Sequence, residues 1–135
     1  MKPFILLFAI VSLSFINECS AQVYVFARED KADIVQNFNV EDGGAKILKQ
    51  VSEREGKWSS LLETDTPGHG AIFCVANPDG ANPKYFVSYG KPSPADAIVE
   101  SRSKAQDFSK GKSGFQVFIM RTFNNQNKYP LKRTY

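Results

Sequence analysis

The sequence predicts a small α+β domain: a four- to five-stranded mixed or antiparallel sheet with two helices packed on one face, in a βαββαβ-like order. Three observations carry that expectation. Short segments rich in β-branched and aromatic residues recur along the chain, two stretches carry helical spacing with start signals, and the connections hold Pro-Asp-Gly and Gly-rich turn chemistry.

The elements are expected after a leader. Lys2 is followed by an apolar run from Phe4 to Ile16, and Cys19-Ser20-Ala21 places small residues at the positions a signal peptidase reads. The run is shorter than the roughly 20 residues of a membrane-spanning helix. Residues 1–21 are therefore expected to be a signal peptide, residues 22–123 a single α+β domain, and residues 124–135 a polar, basic tail. Export to the periplasm or the extracellular space follows, with no integral membrane segment after cleavage. Cys74 is the one cysteine beyond the leader, so the fold is expected to stand on packing without an internal disulfide.

Val23 to Ala27, reading Val-Tyr-Val-Phe-Ala, is a strand by composition, and residues 30–40 carry weaker alternation that suggests a short second one. Asp42 is placed to cap a helix over about 43–56, whose face holds Leu48 and Val51 with Trp58 and Leu62 continuing the spacing. Glu63 to Gly70 reads as a loop. Ala71–Ala76 and Tyr85–Tyr89 read as a hairpin across Pro78-Asp79-Gly80, where proline presets one turn dihedral and glycine accepts a positive one.

Ser93-Pro94-Ala95-Asp96 combines a serine cap, proline at the first helical position and a carboxylate at the third. The helix it opens places Pro94, Ile98, Ser101, Ala105 and Phe108 on one face, and Gly111 suits its end. Phe115–Phe123 is apolar at most positions of both parities, as in a strand covered on both faces or one with a covered face and a contact surface. Ala45, Leu48 and Trp58 share their spacing with Ala95, Ile98 and Phe108, fifty residues on, which suggests an internal duplication.

Gly70-Ala71-Ile72, the aromatic strand Tyr85–Tyr89, the helix bearing Ala95, Ala97 and Ala105, and Val117-Phe118 together resemble a small secreted bacterial domain family of unknown function. The resemblance covers residues 70–123. It implies an extracytoplasmic location and βαβ-like architecture, and it brings no catalytic residues with it. The leader ending in Ala21-Gln22 resembles those of Bacteroidetes-type Gram-negative bacteria, which implies the periplasm or beyond.

The net charge of +3 is unevenly spread. Residues 22–90 hold seven Lys/Arg against ten Asp/Glu, a net of −3, and residues 91–135 hold nine against three, a net of +6. The two halves can neutralise one another, or the basic half can present a surface to an anionic partner. A secreted chain of such modest charge is not expected to meet nucleic acid, although strand aromatics beside a basic residue could stack bases.

Catalytic patterns are sparse. His69 is the single histidine, in a Pro-Gly-His-Gly loop with Glu63 and Asp65 nearby. One imidazole with two loop carboxylates is a weak metal set. Cys74 sits inside a strand, where a thiol acts as a small hydrophobe. No Gly-x-Ser-x-Gly elbow, Walker loop or dinucleotide fingerprint is present, and no cofactor is expected. The resulting expectation is a non-enzymatic, exported protein-binding domain of the inhibitor or immunity type. It would dock a protein partner through Tyr85, Tyr89, Arg121, Lys128, Lys132 and Arg133. The alternatives are a small hydrolase or metal-dependent enzyme centred on Glu63, Asp65 and His69, or a structural protein of the envelope.

Overall fold

A computed structural model describes residues 23–38 and 44–125. The expected leader, the Asp42 cap, and Lys128, Lys132 and Arg133 of the tail lie outside those residues. The order is β1 (Val23–Arg28), β2 (Ile34–Phe38), α1 (Ala45–Ser52), β3 (Trp58–Thr64), β4 (Gly68–Ala76), β5 (Lys84–Lys91), α2 (Pro94–Ser109) and β6 (Gln116–Asn125). The α+β class is as expected, but its arrangement differs. Among the described residues, six strands form two three-stranded antiparallel sheets, ordered β2-β1-β3 and β5-β4-β6.

Each sheet has its own helix, so the two helices do not share a face. Val23, Val25, Ala27 and Ile34 of the first sheet meet Ile72 and Phe123 of the second in a central core. The alternate residues Tyr24, Phe26 and Val35 turn outward to Ile47 and Val51 of α1. On the far side, Ala71, Phe73 and Val75 turn outward to Ala97 and Ala105 of α2. The layers therefore run helix, sheet, sheet, helix. This explains why Val-Tyr-Val-Phe-Ala and Ala-Ile-Phe-Cys-Val-Ala are apolar at every position: β1 and β4 are central strands buried on both faces.

Both halves trace the same path, β-β-α-β, with the first strand of each at the centre of its sheet. The agreement extends to an irregularity. The pairing of β1 with β3 shifts between Val25 and Phe26, and that of β4 with β6 between Ile72 and Phe73. Each shift leaves one extra residue, Leu61 and Met120 respectively, and both pack on the central core. The repeat is one of topology, and it is not the residue match expected from spacing. Trp58 opens β3 whereas Phe108 lies on α2.

The Ser93 cap behaves as expected: its side chain accepts from the Asp96 amide at 3.1 Å, with Pro94 at the first helical position. The buried face of α2 is Ala97, Ser101 and Ala105, one residue further round at its start than expected, and Pro94 is exposed. These small side chains let the helix lie close on the sheet. Ser88 and Ser101, both buried, donate to the Ala97 carbonyl at 2.6 and 3.1 Å. β6 runs through Asn125, two residues into the stretch expected to be tail.

Candidate functional site

The site follows from where α2 begins. Ala97, near its start, sits over Ser88, and Ser88 is level with Ala71. Phe108, near its end, meets Phe86, which is level with Phe73. The helix therefore runs parallel to β4 and antiparallel to β5, and it lies over those two strands from Ala71 onward. One row beyond its start, the sheet continues uncovered with Lys91, His69 and Asn124 abreast on β5, β4 and β6.

Lys91 reaches that row because β5 is irregular. Between the pairs Ala71–Ser88 and His69–Lys91, the two residues Tyr89 and Gly90 oppose Gly70 alone. In a regular strand Lys91 would point to the opposite face from Ser88. The extra residue turns it to the side of His69. Gly90 supplies the positive φ of 69° that such a bulge uses, and a Cβ there would lie 2.9 Å from the Thr66 Cγ2.

The row borders an open cleft of about 410 Å³ lined by Pro67, Gly68, His69, Gly90, Lys91, Pro92, Asn124 and Asn125. Gly68 holds two strands close, since a Cβ there would lie 2.9 Å from the Gly90 carbonyl carbon. Asn125, 3% exposed, donates its amide to the Thr66 carbonyl at 2.9 Å and is structural. Lys91 pairs with Glu100 of α2, which Lys104 also meets at 3.3 Å. The hydrogen bond from Lys91 lowers the Glu100 pKa, so the carboxylate stays charged and the trio carries one net positive charge. Among the described residues, the His69 imidazole and the Asn124 carboxamide make no hydrogen bond. The cleft thus presents an ammonium, an imidazole and a carboxamide to solvent.

Of the expected binding residues, the three that are described, Tyr85, Tyr89 and Arg121, do not form one surface. Tyr85 points into the central core, and its hydroxyl donates to the Arg28 carbonyl at 2.8 Å and accepts from the Asp33 amide at 3.0 Å. Its hydroxyl is an internal tie. Tyr89 is 44% exposed and belongs to the bulge beside the cleft. Arg121 is exposed on β6, level with Ile72, and so on the other face of the sheet from His69.

The alternative trio is also separated. Glu63 is level with Tyr24 and shares the outward face of the first sheet, while His69 shares the outward face of the second. Among the described residues no three His, Cys, Asp or Glu side chains gather as a metal site. Cys74 is fully buried, and desolvation pushes its thiol up to about 11.

Sequence reasoning singled out His69 but missed Lys91 and Asn124. The signal for Lys91 was Tyr89-Gly90, a glycine inside a strand pattern, which marks a bulge and a change of facing. Asn124 lay in the expected tail. Among the described residues no helix is long and apolar enough to cross a membrane. No protein-family model, curated protein or solved structure matches the chain.

Proposed function

We propose that this is an exported binding protein, of the inhibitor or immunity type, that docks a protein partner at the uncovered end of its second sheet. The observation that supports this most is the row Lys91–His69–Asn124, one row beyond the start of the helix that packs on Ala71, Phe73 and Val75, opening on a cleft beside exposed Tyr89. Surface residues that are held in line by strand register and carry unspent donors suit recognition. Export rests on the leader-like residues 1–21, and the resemblance of residues 70–123 to secreted bacterial domains agrees with it.

The test is capture of a stoichiometric protein from a periplasmic extract, with intact mass showing a product that begins at Gln22. Lys91→Ala and His69→Ala release the partner on this reading, whereas Arg121→Glu, on the other face, retains it. Release by Arg121→Glu alone would move the docking surface to the β6 edge. A product beginning at Met1 in the cytoplasm would remove the exported setting.

A small hydrolase is the second reading, favoured by the presence of the chain's single imidazole in the cleft. It keeps His69 and forfeits Glu63 as its helper, because the two face opposite ways. Turnover of a chromogenic ester that disappears in His69→Ala would establish it.

A further inference from the structure

We propose that the cleft beside the start of α2 recognises a carboxylate, with Lys91, His69 and Asn124 as its donors. This rests on the docking reading above and names the chemistry that would be docked. Three features of the site converge on that class.

The first is donor supply. The His69 imidazole and the Asn124 carboxamide lie abreast, spent on nothing among the described residues, and face the same cleft. Both can donate to a carboxylate oxygen, and an ammonium offers three donors, so Lys91 can keep Glu100 and still take a second acceptor. Two carboxylate oxygens accept from several donors at once, so one such group uses all three side chains.

The second is charge. Lys91, Glu100 and Lys104 together leave one positive charge, and the nearest acid of the helix's first turn, Asp96, does not line the cleft. A singly charged anion balances that trio, whereas a doubly charged phosphate would overdraw it. Among the described residues no arginine lines the cleft to offer the planar fork that doubly charged oxyanions favour.

The third is shape. The walls are the rings of Pro67 and Pro92 and the bare backbone of Gly68 and Gly90, so backbone rather than bulky side chain borders the space. A cleft of about 410 Å³ admits an Asp or Glu side chain or a free small acid. The shared chemistry is the carboxylate, and the experiment separates its two sources.

The test follows backbone and imidazole resonances of the protein, as recovered from cells, by NMR. The probes are an acetylated and amidated Gly-Asp-Gly peptide, its Gly-Asn-Gly counterpart, acetate and inorganic phosphate. The proposal expects saturable shifts at His69, Lys91 and Asn124 with the aspartyl peptide and none with the asparaginyl one. Lys91→Ala, His69→Ala and Asn124→Ala should each weaken binding about tenfold, the typical loss for one hydrogen bond to a charged group. These exposed or half-exposed sites leave the fold's dispersion intact in the same spectra.

Tighter binding of the peptide than of acetate points to a carboxylate displayed on a partner chain, and equal binding points to a free small acid. Both outcomes support the class. Equal shifts from both peptides, preference for phosphate, or variants that bind as the parent does would overturn it. A captured partner that His69→Ala releases but the aspartyl peptide never displaces would overturn the carboxylate while leaving the docking reading standing. Saturable carboxylate binding with no captured partner would do the reverse.

Discussion

The Tyr85 hydroxyl, on the second sheet, donates to the Arg28 carbonyl at the end of β1, 57 positions earlier in the chain. It also accepts from the Asp33 amide, so one side chain closes both sides of the β1–β2 turn. Beside it, the Ala32 amide donates to the Gly80 carbonyl at 2.8 Å, joining the turns of the two hairpins. Tyr85→Phe keeps the ring in the core and leaves the amide and carbonyl without this partner. The expected cost is about 1–3 kcal/mol, the penalty for stranding a half-buried polar group. Urea unfolding should show a lower midpoint at unchanged slope. A midpoint equal to the parent's would mean that water replaces the hydroxyl.

Cys74 lies directly opposite Tyr85 in the β4–β5 pairing, and burial raises both groups. The thiol rises from 9.0 to about 11 and the phenol from 10.0 to about 12. Both are acids whose neutral form the fold favours, so the unfolded chain loses their protons first as pH rises. Their contribution is complete below pH 9, and it falls from there until both are ionised in the folded state near pH 12. Unfolding midpoints measured from pH 8 upward should be level at first and then decline. Cys74→Ala should remove the part of the decline that begins at pH 9 and leave the part that begins at pH 10. The same burial predicts that an alkylating reagent modifies Cys74 only at the rate of unfolding.

Gly90 couples stability to the site. Gly90→Ala puts a Cβ on a left-handed backbone, at about 1–2 kcal/mol, and against the Thr66 methyl. The bulge that aims Lys91 should loosen, so the pairing of Lys91 with Glu100 should weaken along with the fold. Thermal melting reads the first effect. The second appears as a rise in the Glu100 titration midpoint toward its ordinary value, because Lys91 is the largest cause of its lowering. A destabilised variant whose Glu100 titrates as in the parent would show that the bulge survives without glycine.

The elements buried on both faces were the ones most legible in sequence. β1 and β4 are continuous apolar runs because each has a sheet on one side and a helix on the other. The Ser93 cap of α2 was equally plain, since its signals are local. β3 was missed, and with it the division of the strands into two sheets. It is an edge strand whose alternation breaks at the extra residue Leu61, so Trp58 and Leu62 imitate a continuation of helical spacing. In fact Gly56, at φ 99°, separates them from α1. Tyr85 and Tyr89 looked like equals in sequence, but the first faces the inter-sheet core and the second sits on a bulge. A cross-strand row such as Lys91–His69–Asn124 is a product of register between residues far apart in sequence, which composition does not record.

The two halves each contribute one wall of the central core, and this bears on how the chain reaches its folded state. Val23, Val25 and Ala27 find cover only when Ile72 and Phe123 arrive. The leading half therefore cannot mature alone while the trailing half is still being synthesised. Melting should be a single all-or-none event for the pair, and a break engineered into the Asp65–Pro67 linker should yield fragments that gain structure only when mixed.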